Sequence, residues 1–305
     1  MSRYPHELTP PRLLLGISIS LVAYLFFVSV SSVVWRAEEE ITISQILFFQ
    51  NSISLLCILP FALRKGISKL KTNYLGQHLM RDLFGVGSYF FYFLAIRNWD
   101  LVNATTLNYT APFFVPIIWW IWTKQKVGSN VWWSIIAGFF GVATILNPSR
   151  TTLELGFIYG IFAGISSGIS FCALRILNLH REPMEKILFY YFTVGTLLSF
   201  PFAWVSWVTP SDTAWLELLW IGFGTAIAQV LLTIAYRFGT ASYLSPIGYS
   251  TIIYAGLISW LFFNEPFPPR SILGTLLIVF GGTITYILKK KPETLAETFK
   301  NPDAK

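Results

Sequence analysis

Ten runs of predominantly apolar residues, each about twenty residues long, recur along the chain. They fall at roughly 13–34, 41–63, 79–97, 101–123, 131–147, 156–177, 185–207, 216–237, 241–263 and 271–288. A helix of that length crosses ~30 Å of hydrocarbon, and no water-soluble core could absorb so many. Only 12% of the residues are charged and 54% are hydrophobic, about half the charged share of a soluble domain. The predicted fold class is therefore an all-α integral membrane protein with ten transmembrane helices.

The connectors carry the orientation. With a cytoplasmic N-terminus, the inner segments hold Arg3, Arg12, Arg64, Lys65, Lys69, Lys71, Arg81, Lys124, Lys126, Arg175, Arg181, Lys186, Arg237 and the Lys289-Lys290-Lys291 tail. The outer segments hold only Arg36, Arg97, Arg150 and Arg270, and no lysine. That asymmetry predicts both termini in the cytoplasm of a multi-pass bacterial inner-membrane protein. The net charge of +7 thus reports orientation rather than a nucleic-acid partner. Met1 to Arg12 is polar and Leu13–Val34 is too long for a signal-peptide core, so the first helix is expected to act as its own insertion signal. Glu38-Glu39-Glu40 falls in an outer loop, as a solvated turn or a cation-attracting mouth.

Sliding the sequence on itself by about 140 residues aligns the third to fifth spans of each half without gaps. Ala95 then meets Ala235, Arg97 meets Arg237, Tyr109 meets Tyr249, Trp120 meets Trp260 and Gly141 meets Gly281, while Gly16 meets Gly156. Each half holds an odd number of spans, so equivalent helices run in opposite senses. The expected organisation is a tail at 1–12, a first five-helix repeat at 13–147, an inverted second repeat at 156–288 and a tail at 289–305. Inverted repeats give one chain two conformations of opposite openness, the basis of alternating access.

The sixth span places Gly156, Gly160, Gly164 and Gly168 four residues apart on one face. Such a face lets a neighbouring backbone approach closely, either as fixed packing or as a sliding surface. Pro112 and Pro116 interrupt the fourth span and Pro246 the ninth, predicting kinks that free carbonyls near the middle of the membrane.

Polar side chains at membrane depth must face the bundle interior or water. Several are paired by the repeat: Tyr89 with Gln229, Tyr109 with Tyr249, Thr105 with Ser245, Gln50 with Tyr190 and Asn51 with Tyr191, with Tyr92 and Asn108 beside them. As a substrate-binding set they would offer stacking faces and hydrogen bonds to an aromatic or zwitterionic solute. The competing reading has them bonding helix to helix at ~0.6 kcal/mol each. Arg81 and Asp82 are expected at the membrane interface, with Asp82 a candidate for proton coupling if water reaches it. Cys57 and Cys172 are lone, and His6, His78 and His180 are read as lying in connectors or tails. No phosphate loop, metal cluster or nucleophile-base pair is present in the sequence, so neither cofactor, metal nor enzymatic activity is expected.

These features resemble the drug/metabolite transporter superfamily in its ten-helix EamA-type branch, over about residues 10 to 290. Two versions of one pattern carry the likeness. The first is Leu94-Ala-Ile-Arg97, Val102-Asn-Ala-Thr-Thr-Leu-Asn-Tyr109, Ala111-Pro112 and Gly138-Phe-Phe-Gly141. The second is Ala235-Tyr-Arg237, Ala241-Ser-Tyr-Leu-Ser-Pro246, Asn264-Glu265-Pro266 and Gly281-Gly282. The first half departs from the pattern at Lys124-Gln125-Lys126, where an acidic residue is usual.

The resemblance implies a central cavity among the third, fourth, eighth and ninth helices, flanked by moving first, second, sixth and seventh helices. It further implies carriage of small metabolites. An exporter of an amino-acid-like solute is the first expectation. Uptake of a nucleotide-like metabolite is the second, because the run Val102–Pro112 is similar to that of S-adenosylmethionine uptake carriers. A non-transporting receptor or scaffold would share the fold. The expected partners are the solute, the lipid bilayer and protons as a coupling ion, with the protein a monomer or homodimer.

Overall fold

The structure, a computed structural model, describes residues 10–64, 66–99, 101–124, 155–238 and 245–264, with scattered positions between 136 and 144 and between 273 and 277. The described elements are helices α1 (Pro10–Ala37), α2 (Ile43–Leu63), α3 (Leu75–Arg97), α4 (Leu101–Asn108), α5 (Ala111–Thr123), α6 (Leu155–Leu179), α7 (Met184–Val205), α8 (Asp212–Phe238) and α9 (Ser250–Phe263). Short 3-10 turns at Ile67–Leu70 and Ser245–Tyr249 precede α3 and α9. Among the described residues six helices are long and apolar enough to cross a membrane: α1, α2, α3, α6, α7 and α8. The fifth and tenth expected spans and both tails lie outside the described residues, apart from the scattered positions.

The fourth expected span is two helices rather than one. Pro112 stands in the first turn of α5, and a proline disfavours helical geometry in the residue before it while supplying no amide. The chain therefore breaks at Tyr109–Thr110, where the Thr110 amide donates to the Leu107 carbonyl at 3.0 Å in a tightened turn. Pro246 acts alike, and the 3-10 turn Ser245–Tyr249 hands over to α9 at Ser250. Both α5 and α9 end on a left-handed residue, Lys124 at φ 56° and Asn264 at φ 53°. Elsewhere, the Thr42 hydroxyl caps α2 by accepting from the Gln45 amide at 3.3 Å, satisfying one orphan donor of the first turn.

α3 packs along α6 and α1 along α8, while α2 lies against both α7 and α8. α7 also touches α3, α5 and α4 rest on α6, and α9 lies against α1 and α4. The core is apolar, with Phe93, Ile96, Leu107, Phe192 and Leu218 fully buried. The outer surface is apolar too, for Leu56, Leu197, Phe202, Leu216 and Phe262 are each more than 60% exposed. A bundle hydrophobic inside and out has lipid as its solvent.

The glycine face of α6 lies against α4 and α5. A Cβ at Gly156 would stand 2.9 Å from that of Trp99, at Gly160 2.5 Å from Leu107 Cδ1, and at Gly168 3.0 Å from Ile118 Cδ1. At Gly164 it would collide with the Thr110 hydroxyl and lie 2.9 Å from the Leu107 carbonyl oxygen. The close approach read from the spacing is therefore present, and it clamps the broken helix α4–α5.

Candidate functional site

One stripe of α3 organises the bundle interior. Arg81, Gly85, Ser88, Tyr89 and Tyr92 follow the three- and four-residue spacing of a single helix face, and Arg81, Ser88 and Tyr92 are buried along it. At its middle, the Tyr89 side chain lies beside that of Gln229 from α8, with Tyr191, Tyr109 and Arg81 within electrostatic reach. Tyr89 is half-buried and packs against the apolar core around it. Tyr109, at the α4–α5 break, meets the Tyr24 ring edge-on at 6.1 Å. Tyr249 stacks against Phe113 at 6.4 Å. Tyr89, Tyr109 and Gln229 are thus brought together.

The other predicted residues serve packing. The Tyr92 hydroxyl and Thr105 Oγ1 lie 2.8 Å apart, with either the donor. Asn108 Oδ1 accepts from Ser88 at 3.4 Å and from Ser167 at 3.3 Å, tying α3 and α6 to the end of α4. Asn51 donates to the Leu47 carbonyl at 2.7 Å and lies against Gly195, one turn beyond Tyr191 on α7. Gln50 is fully buried, and both of its amide atoms lack partners among the described residues. Ser245 opens the 3-10 turn before α9, and its side chain lies outside the description.

One sequence expectation is corrected. His78 is not in a connector: it stands in the first turn of α3 and is fully buried. Arg81 and Asp82, expected at the membrane interface, are buried within the protein, being 5% and 0% exposed. In each case the segment 67–74 and the α6–α7 linker fold over the start of α3, so a short distance along the helix does not mean contact with water. Thr72 donates to Glu182 at 3.3 Å, Lys186 donates to the Lys71 carbonyl at 2.8 Å, and the Tyr190 hydroxyl donates to the Leu70 carbonyl at 3.1 Å. Glu182 also pairs with Lys186 at 3.0 Å and lies 3.5 Å from His78 Nε2. Tyr74 stacks on His180 at 4.0 Å.

The opposite end of the bundle is closed by a second set of bonds. Gln45 exchanges two hydrogen bonds with the Val208 backbone, at 2.7 and 2.9 Å. Ser211 donates its amide and hydroxyl to the Glu40 carboxylate at 2.6 and 2.9 Å, and the Thr42 and Ser206 hydroxyls meet at 3.2 Å. In the same turn, burial pushes the Glu38 carboxyl up to about 8, although Arg97 opposes this and Glu39 adds to it.

Sequence reading missed Arg81, whose guanidinium lies 3.9 Å above the Tyr191 ring. It also missed Tyr24 and the Ser88–Ser167 pair, whose oxygens are 2.5 Å apart. The signal for Arg81 was available, since it begins the stripe that contains Tyr89. A separate cleft of about 490 Å³ opens at the side, lined by Gly76, Gln77, Met80, Trp122, Ala173 and Ile176. It holds none of the central polar residues. Among the described residues no group of His, Cys, Asp and Glu stands ready to hold a metal.

The model of the EamA-like transporter family matches the chain twice, over residues 14–147 and 154–287. The chain belongs to the EamA-like transporter family. The two matches begin 140 residues apart, the offset at which the sequence aligns with itself. Relatives of this EamA-like chain include bacterial metabolite transporters. The pseudopaline exporter of Pseudomonas aeruginosa is 26% identical over 266 residues, covering 87% of this chain and 93% of that protein. An S-adenosylmethionine uptake transporter of Rickettsia bellii is 28% identical over 253 residues, covering 81% and 84%. A riboflavin transporter of Vibrio cholerae is 27% identical over 276 residues, covering 86% and 89%. A solved crystal structure superposes with a TM-score of 0.67 at 15% identity, covering 91% of this chain and 97% of that one, which establishes the fold alone. The EamA-like chain is thus a multi-pass membrane protein with relatives that move metabolites.

Proposed function

We propose that this chain is a secondary transporter of ten transmembrane helices in two inverted repeats, 13–147 and 156–288. It exposes one small metabolite alternately to the two faces of the bacterial inner membrane, with both termini in the cytoplasm. The carrying observation is that Tyr89 and Gln229 lie side by side. These two residues are repeat equivalents, and equivalents that touch each other must lie on the axis relating the repeats. A solute held there is equally placed for either opening.

Further pairings support the inverted arrangement. α1 on α8 answers α3 on α6, and α2 on α8 answers α7 on α3. Gly16 faces Phe238 with 3.2 Å to its Cβ, while Gly156 faces the Asn98 carbonyl oxygen at the same 3.2 Å. Both contacts fall at the 140-residue offset, and so do the left-handed caps Lys124 and Asn264. Each end of the bundle carries its own polar clamp, and transport requires opening one while the other holds.

The solute is an amino-acid-like metabolite moving outward. This reading is favoured by the tyrosine-rich enclosure with one amide, by Arg81 at its rim, and by the exporter among the relatives. The second reading, uptake of a nucleotide-like metabolite, draws on the S-adenosylmethionine and riboflavin carriers. Asp82, buried with neither oxygen hydrogen-bonded among the described residues, is the candidate for proton coupling. A catalytic role is not part of this reading, and a monomer suffices for it.

The test is flux of a pooled metabolite panel into proteoliposomes, with and without an imposed pH gradient, read by mass spectrometry. A saturable, protein-dependent compound whose flux falls in Tyr109→Ala and Gln229→Ala supports the reading. A folded, reconstituted protein that moves nothing in the panel refutes the amino-acid assignment. An Asp82→Asn variant with unchanged gradient dependence removes Asp82 from the coupling role.

A further inference from the structure

We infer that Arg81, held flat on the Tyr191 ring, is the group that recognises a carboxylate on the transported solute. This rests on the transporter reading above and gives that site its substrate class. Arg81 lies about 9 Å along α3 from its first residue, at 1.5 Å per residue. It is buried, and its Cζ stands 3.9 Å from the centroid of the Tyr191 ring. Gly85, one turn on, makes the room: a Cβ there would lie 2.8 Å from Tyr191 Cε2 and 2.9 Å from an Arg81 terminal nitrogen.

The ring contact fixes the plane of the guanidinium but does not occupy all of its donors. Among the described residues Arg81 Nε has no hydrogen-bond partner. Asp82 does not supply one. Adjacent residues on a helix point to different faces, and neither Asp82 oxygen accepts a hydrogen bond. Glu182, the acid of the neighbouring clamp, is engaged with Lys186 and Thr72 and lies beside His78. A buried cation whose neighbouring acid, Asp82, acts on it through space but makes no hydrogen bond to it is costly in a membrane bundle, and packing alone would be served by an apolar side chain. An anion that arrives and leaves accounts for it.

The geometry selects the anion. A guanidinium presents a planar fork of donors that matches a carboxylate in bidentate fashion. One arginine balances one charge, whereas a phosphate monoester brings about −1.5 to −2 at neutral pH. Four residues further round the same face, past Gly85, the stripe reaches Tyr89 and Gln229. A solute with its carboxylate on Arg81 would therefore extend its remaining part towards the proposed axis.

The test uses the purified full chain in detergent. Its thermal midpoint is titrated with each of the twenty amino acids and with the neutral amide of each, which keeps the ammonium and loses the carboxylate. At least one acid is expected to bind about tenfold or more tightly than its amide, as a charge-assisted hydrogen bond requires. Arg81→Gln is expected to weaken that acid by about ten- to a hundredfold and to leave the amide unchanged. Arg81→Lys is expected to keep part of the preference. Equal affinity for acid and amide in the natural protein overturns the inference and leaves the transporter standing. Equal weakening of both by Arg81→Gln overturns it as well, because a purely structural arginine acts that way. A folded protein that binds neither class overturns it together with the amino-acid reading of the site.

Discussion

Replacing Gly164 by alanine tests how tightly α6 grips the broken helix. The added Cβ would collide with the Thr110 hydroxyl and lie 2.9 Å from the Leu107 carbonyl oxygen. The Thr110 hydroxyl already donates to that carbonyl at 2.6 Å, so neither atom can retreat without moving the other. The carbonyl is backbone at the α4–α5 break, so relief requires a shift of the helix and not of a flexible side chain. Overpacking of this kind costs about 1–3 kcal/mol. Any glycine-to-alanine change in a helix also gains roughly 0.8–1 kcal/mol of propensity. Gly87 on α3 isolates that gain, because a Cβ there would have no neighbour within 4 Å. The predicted quantity is the difference between Gly164→Ala and Gly87→Ala, about 1–3 kcal/mol. It is measured as reversible unfolding of each variant in mixed micelles. Two variants of equal stability would refute the grip, and with it the claim that the glycine spacing exists to admit α4 and α5.

Three further outcomes are expected. Glu38 is held up to about 8 by burial against an ordinary 4.5. Between those values the folded state binds more protons than the unfolded one, so stability falls as pH rises through that window; Glu38→Gln should flatten the pH profile of thermal midpoints there and raise the midpoint near pH 8. Removing the hydroxyl in Tyr92→Phe deprives Thr105 of a partner and should cost about 0.6 kcal/mol with flux preserved, whereas Tyr89→Phe should lower flux at near-natural stability; the opposite ranking would exchange their roles. Glu182→Ala leaves Lys186 with its acid gone in a mostly buried clamp, and should cost about 3 kcal/mol and loosen that end of the bundle to thiol-reactive probes placed at Thr72→Cys.

The sequence by itself determined the elements whose cause is local. Apolar run length sets helix length, and Pro112 and Pro246 mark where the fourth and ninth expected spans break. The 140-residue self-alignment anticipated the twice-matching family model, and the glycine spacing anticipated the close approach of α6. The repeat offset names Tyr89 and Gln229 as equivalents, and only the folded chain sets them side by side. Burial near a helix end was not legible. Arg81, Asp82 and His78 lie close to the start of α3 in the chain, where a helix normally meets water. They are dry because segment 67–74 and the α6–α7 linker close over them, and Tyr191, which fixes the plane of Arg81, comes from α7 more than a hundred residues away. Tyr92, Thr105 and Asn108 had the same polar character as Tyr89. Only the tertiary structure decided that these three spend their hydrogen bonds on neighbouring helices, because that depends on what each side chain meets across the bundle and not on its own chemistry.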